Sequence, residues 1–230
     1  MTYISLWNGW GKNMPDIEHC VAFSESIVKI IELKTQVEFT HRNWGDEDLE
    51  EVRSEIRDFY RTVQKGSCSY CKQPLSLVSA LNCHVEHIVP KSLHSEFTFT
   101  PKNLCVICAD CNQIKREQET LGEIPETLER PERRKMYPRS SSAFKIIHPH
   151  FDVYEDHIWI ARGYYIDKGS KKGSFTIGAC KLNRKLAEFG WVPEVSSDEE
   201  VARLMTEYLA EKSTNKRAAI LDSLREVLLW

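Results

Sequence analysis

Two CxxC pairs constrain this chain more than any other feature in it. Cys68 and Cys71 lie in CSYC, Cys108 and Cys111 lie in CADC, and 37 positions separate Cys71 from Cys108. Each pair sets two thiolates on one side of a tight turn, and two pairs complete the tetrahedral sulfur shell of a structural Zn²⁺. A redox CxxC needs only one pair. CVICADC contains two overlapping frames; Cys108 and Cys111 are preferred over Cys105 because they directly precede the polar NQIKRE run, which should open a helix. Four sulfurs leave no open coordination position, so such a zinc folds the chain and does not catalyse. Cys20, Cys83, Cys105 and Cys180 are expected to be small, buried and inert.

Disulfides are the alternative use of eight cysteines in 230 residues. They belong to small secreted chains, and MTYISLWNGWGKN lacks the charged-then-apolar layout of a secretory signal. No apolar run approaches the ~20 residues of a membrane span. The expected compartment is the cytoplasm, with no membrane partner. A hydrophobic content of 41% suits one large domain or two small ones. The net charge of −3 argues against a surface that grips nucleic acid all over, but the charge is uneven. Residues 46–58 hold seven acids against Arg53 and Arg57, whereas residues 162–185 hold seven bases against Asp167 alone. That basic stretch reads either as a phosphate-binding face or as a solvated lysine-rich hairpin.

Along the chain, residues 16–34 read as a helix, with Ile17, Cys20, Val21, Ser24, Val28 and Ile31 at roughly helical spacing. A second helix follows Asp46 as N-cap and carries the stripe Leu49, Val52, Ile56, Phe59 and Tyr60, ending at Gly66. Residues 121–145, rich in proline, charge and serine, form a linker or an ordered surface loop. Residues 146–178 alternate as strands, with GSKKGS as a turn. A helix over LNRKLAEF comes next, then one over 198–212 opened by a Ser197/Glu200 capping box, then one from about 215 onward.

Between the cysteine pairs, CHVEHIVPKS sets Glu86 and His87 among the strand-forming residues Val85, Ile88 and Val89. Ionisable groups there cost free energy unless paired, bonded or bound to a metal. VEHIVPKS, PKNL at 101–104 and CADCNQIK at 108–115 together resemble the HNH endonuclease motif, over about residues 67–118. The resemblance implies a ββα-metal unit that holds one divalent ion against a scissile phosphate. Within it, Glu86 and Asn112 would be the ligands of a catalytic Mg²⁺ or Mn²⁺, His87 the general base, and Asn103 the residue that orients the imidazole. Lys115, three residues after Asn112, shares its helix face and could reach a phosphate. Lys91, Arg116, Lys171 and Lys172 are the expected nucleic-acid contacts.

Many HNH enzymes carry aspartate or histidine at the position of Glu86 and histidine at that of Asn112; both substitutions keep metal-competent oxygens. In a strict strand Glu86 and His87 would face opposite ways, so the strand must end or twist near them, as Pro90 suggests. For His84 and His94 only proximity argues a site role. His148, His150 and His157 read as packing or surface histidines rather than a ligand group.

The expected fold class is therefore α+β: a helical region over 1–66, the HNH core braced by zinc over 67–118, a charged linker or loop over 119–145, and a β-hairpin with helices over 146–230. Residues 148–188 resemble, more loosely, the region after the motif in HNH nucleases that sit beside an ATPase in Septu-type and retron-linked anti-phage systems. That likeness implies an ATPase partner. With no GxxxxGK loop in the chain, nucleotide hydrolysis would belong to that partner. The function expected is phosphodiester hydrolysis of nucleic acid, DNA before RNA. The alternative is a non-catalytic zinc-stabilised nucleic-acid-binding module or an adaptor for the ATPase, and a homo-oligomer stays open.

Overall fold

The computed structural model describes residues 14–161, 163–189 and 199–228. The elements that frame the cysteine pairs are β1 (His84–His87), β2 (Leu104–Ile107) and α3 (Ala109–Leu121), which follow α1 (Glu25–Thr35) and α2 (Glu50–Val63). The second half contains β3 (Ile158–Ala161), β4 (Tyr164–Asp167), α4 (Lys171–Ala179), α5 (Arg184–Phe189), α6 (Glu199–Ala210) and α7 (Thr214–Leu228). The fold is α+β, as expected. Strand β1 pairs antiparallel with β2, Glu86 opposite Cys105 and His87 opposite Leu104, and α3 follows at once to complete a ββα unit. Strands β3 and β4 form a second antiparallel hairpin.

One core runs through most of these elements. Val52, Ile56 and Tyr60 of α2 pack with Leu104, Val106 and Ile107 of β2, with Ile17 and Val21 before α1, and with Ile146, Tyr154 and Leu182 further on. The seam between α2 and β2 is also polar. Gln64 donates from Nε2 to the carbonyl of Val106 at 2.8 Å and accepts the Val106 amide at 2.8 Å, which satisfies backbone that an edge strand would expose. A smaller core of Ala161, Tyr164 and Ile166 with Leu204, Met205, Tyr208 and Leu224 seats α6 and α7 on the other face of the β3–β4 hairpin. No helix among the described residues is long and apolar enough to cross a membrane.

The structure departs from the sequence-based expectations at three places. The first helix begins at Glu25, not residue 16: the Ile17 amide bonds the carbonyl of Pro149 and the Val21 amide the Tyr60 hydroxyl, so tertiary contacts hold 16–24 non-helical. Asp46 does not cap α2 with its side chain; its carboxylate takes Lys34 at 2.7 Å instead, and a short 3₁₀ turn over Glu47–Leu49 leads into the helix. GSKKGS is not a turn but the start of α4, because the Ser170 hydroxyl caps the Gly173 amide at 2.9 Å. Within residues 119–145, read as a linker or an ordered surface loop, Leu128 bridges Phe144, and both join Val89 and Phe97 in a third small core. Helix α5 lies within the expected LNRKLAEF segment, whereas Ser197 of the proposed capping box lies outside the described residues.

Candidate functional site

The four-cysteine site is assembled from two local structures. In the first, the Cys68 amide bonds the carbonyl of Gln73 and the Lys72 amide that of Cys68, with Lys72 left-handed at φ 58°, which curls Cys68 and Cys71 to one side. In the second, Cys108 is the N-cap residue of α3 and Cys111 lies in its first turn. The ligand atoms of Cys68, Cys71, Cys108 and Cys111 lie within 4.8 Å of one another, and all four residues are buried. The Sγ atoms of Cys71 and Cys108 are 3.5 Å apart, so the two local structures meet at one point. The donor set suits a structural metal ion. Cys105 takes no part: it is fully buried in β2, and burial pushes its thiol up. Cys83 and Cys180 are likewise buried, and Cys20 is half-buried.

Glu86 is 6% exposed. Its Oε1 accepts the Tyr70 hydroxyl at 3.0 Å and forms an ion pair with the Lys115 ammonium, which also donates to the carbonyl of His87 at 3.3 Å. Burial alone would lower the pKa of Lys115, but the charge and hydrogen bond of Glu86 outweigh it and the net shift is upward. Lys115 therefore stays charged and bridges both residues of the EH pair. Nothing in the sequence pattern singles out Tyr70. It sits between Cys68 and Cys71, so the first cysteine turn itself delivers a hydroxyl to the carboxylate.

His87 ends β1 and is 4% exposed. Its Nε2 lies 3.1 Å from the carbonyl of Thr98, which only accepts, so Nε2 carries the proton and Nδ1 presents the lone pair. The Trp44 ring meets the imidazole edge-on, centroids 4.6 Å apart. Burial, with the charges of Lys91 and Lys115 adding to it, holds the imidazole pKa well below the usual value, so the ring is neutral near pH 7.

Asn103 does not touch the imidazole. It is fully buried and ties down the loop after β1: Oδ1 accepts the Val89 amide at 2.7 Å, and Nδ2 donates to the carbonyls of Val89 at 3.2 Å and Phe97 at 3.0 Å. Phe97 precedes Thr98, so Asn103 fixes the loop that carries the carbonyl bonded to His87. A backbone carbonyl leaves no mark in a sequence, and Thr98 was invisible there.

Asn112 lies one helical turn before Lys115 and lines an open cleft of about 750 Å³ together with His84, Lys91, Arg116, Trp44 and residues of α2. The donor types of Glu86 and Asn112 fit a hard divalent ion, with Lys115 holding the carboxylate in its present state. The remaining predicted contacts divide. Lys171 is exposed at the start of α4. Lys172 is no open phosphate contact: it is paired with Asp152 at 2.6 Å and bonded to the carbonyl of Ser141 at 2.8 Å. The basic run is further broken up by Arg184, which pairs with Asp110 of α3 at 2.9 Å.

The five further histidines singled out in the sequence are engaged structurally. His94 bonds Glu126 at 2.8 Å, and His84 donates from Nε2 to the carbonyl of Leu81 at 3.1 Å at the cleft edge. His148 is fully buried against Tyr137, His150 bonds the carbonyl of Leu104 at 2.8 Å, and His157 bonds Ser170 at 2.7 Å. Among the described residues the only group of metal-ligating side chains of this kind is the four-cysteine one.

No curated protein matches the chain. Residues 68–118 match the family model described as HNH endonuclease, which is the segment that contains both cysteine pairs and the ββα unit; this supports the HNH family, nuclease activity of a general kind and a nucleic-acid substrate.

Proposed function

We propose that this chain is a metal-dependent HNH endonuclease that hydrolyses phosphodiester bonds, with DNA as the first candidate substrate and Zn²⁺ in the four-cysteine site. The observation that carries the reading is His87: a neutral imidazole at the end of β1, its Nε2–H committed to Thr98, which leaves Nδ1 to accept a proton. Its place inside the segment that matches the family supports the same role. A Mg²⁺ or Mn²⁺ ion held by Glu86 and Asn112 would supply charge neutralisation at the phosphate and at the leaving oxygen. The Nδ1 atom of His87 takes the proton of the attacking water, a contribution of about 10²–10⁴-fold. Thr98 keeps the ring in the required tautomer, and Asn103 keeps Thr98 in place. Once displaced from Glu86, Lys115 offers its charge to a phosphate oxygen.

A second reading has its own observation. Lys115 already neutralises Glu86, which is what a non-catalytic, metal-braced binding module would retain. Action beside an ATPase partner in anti-phage defence rests on the sequence resemblance of residues 148–188 alone. The purified protein incubated with plasmid, linear DNA and RNA, each with magnesium, manganese or chelator, separates the readings. Cleavage with either ion and none in chelator is expected. Binding without cleavage under every condition would favour the module.

A further inference from the structure

The cleft above Asn112 has a wall that the family-matched segment does not supply. That wall is α2, which sends Arg53 and Arg57 toward the same space as Lys91 and Arg116. These four cations face two carboxylates in the lining, Glu50 and Glu119, so the cleft favours an anion.

The two arginines of α2 differ in what they already hold. Arg53 is saturated. It bonds Oε2 of Glu50 from Nε at 3.0 Å and from a terminal nitrogen at 2.7 Å, the carbonyl of Asp46 at 3.0 Å, and the carbonyl of Trp44. It pins the Trp44–Asp46 segment and, through Trp44, the face against which His87 rests. Arg57 has no such set. Its ion-pair partner, Oε1 of Glu50, lies 3.6 Å away, beyond hydrogen-bond reach, and its Nε is buried with no partner. Its side chain is only 13% exposed. A guanidinium nitrogen withdrawn from water without an acceptor is costly, and here that applies to Nε. Arg61, one turn on, also has an unmet Nε, but it bonds Asp58 and the carbonyl of Leu77.

We propose that Arg57 binds a backbone phosphate of the nucleic-acid strand that enters this cleft. The planar fork of arginine matches two phosphate oxygens at once, and the terminal nitrogens of Arg57, which Glu50 does not hold within hydrogen-bond distance, are the ones such a contact would use. Helix α2 thereby becomes part of the substrate site, and Glu50 is held by Arg53 rather than by Arg57. This proposal rests on the nucleic-acid reading above but not on catalysis.

The test is binding, measured in His87→Ala protein with magnesium so that no strand is cut. The probes are a labelled DNA duplex, a labelled DNA single strand and the matching RNA, each titrated over a series of salt concentrations. Arg57→Gln should weaken binding of the preferred probe about tenfold at low salt. It should reduce the slope of log affinity against log salt by about one, the loss of one phosphate contact. Metal content and melting should stay at the parental values, and Arg57→Lys should keep the slope while losing part of the affinity. An unchanged affinity and slope in Arg57→Gln would overturn the proposal. Failure of the nuclease reading would look different: salt-dependent binding that responds to Arg57 with no cleavage by the protein that retains His87. Absence of binding to all three probes would overturn the proposal together with the reading beneath it.

Discussion

At the scale of single residues, the EH pair shows how burial and pairing divide two roles. Glu86 and His87 were legible from sequence as out of place in a strand. What each leans on was not, because Tyr70, Lys115 and the Thr98 carbonyl come to them from a cysteine turn, a helix and a loop distant in sequence. Asn103 illustrates the same limit: its type and position fit a site, yet its bonds go to the backbone of Val89 and Phe97. The Lys115–Glu86 pair gives a sharp prediction. Lys115→Met leaves a buried carboxylate without its partner and should destabilise the protein by about 3–5 kcal/mol in the absence of divalent ions. Manganese should then raise the melting temperature of the variant more than that of the parent, because the ion supplies the missing charge. Equal manganese responses in thermal melts would remove Glu86 from the ligand set.

At the scale of elements, the ββα unit was readable because its signals are local: two cysteine turns, a short strand and a polar run that opens α3. Helix α4 was missed because GSKKGS carries the residues of a turn, and only the Ser170 cap and the packing beyond it favour a helix. Gly173 explains the composition. A Cβ there would lie 2.4 Å from the carbonyl oxygen of His157 and 3.1 Å from Cβ of Asp167, so glycine lets α4 close onto the β3–β4 hairpin. Gly173→Ala should therefore destabilise by about 1–3 kcal/mol through overpacking, despite its better helix propensity, as read by chemical denaturation. A stabilised variant would show that the contact relaxes. The four-cysteine element should respond more strongly. Structural zinc is worth about 10–16 kcal/mol in small peptides, and Cys108→Ser should lose bound metal and soluble yield together. Full metal content with unchanged melting would sink the assignment.

At the scale of the whole molecule, a single core joins segments that read as separate regions in sequence, because Ile17, Ile56, Val106, Tyr154 and Leu182 meet only once the chain has folded back on itself. Buried histidines in that interior make stability depend on pH. Burial lowers the pKa of His150 to about 4, and burial together with His150 lowers that of His148 well below its usual value. Both are therefore neutral in the fold, while the unfolded chain takes up protons below about pH 6.5. Their contribution is complete above that pH and is lost as pH falls toward 4, on the order of 3 kcal/mol for His150 alone. Urea midpoints at pH 7.5, 6 and 5, with zinc in excess and metal content checked at each pH, should fall steadily. His150→Gln should flatten the decline, and an equal slope in that variant would place the proton uptake elsewhere. The proposed metal-dependent nuclease turns on His87 as its base. The most direct measurement is the initial rate of plasmid cleavage in manganese by the parent and by His87→Ala at equal zinc content. The expected result is a loss of at least about 10²-fold in the variant that added manganese does not restore; cleavage at the parental rate would contradict it.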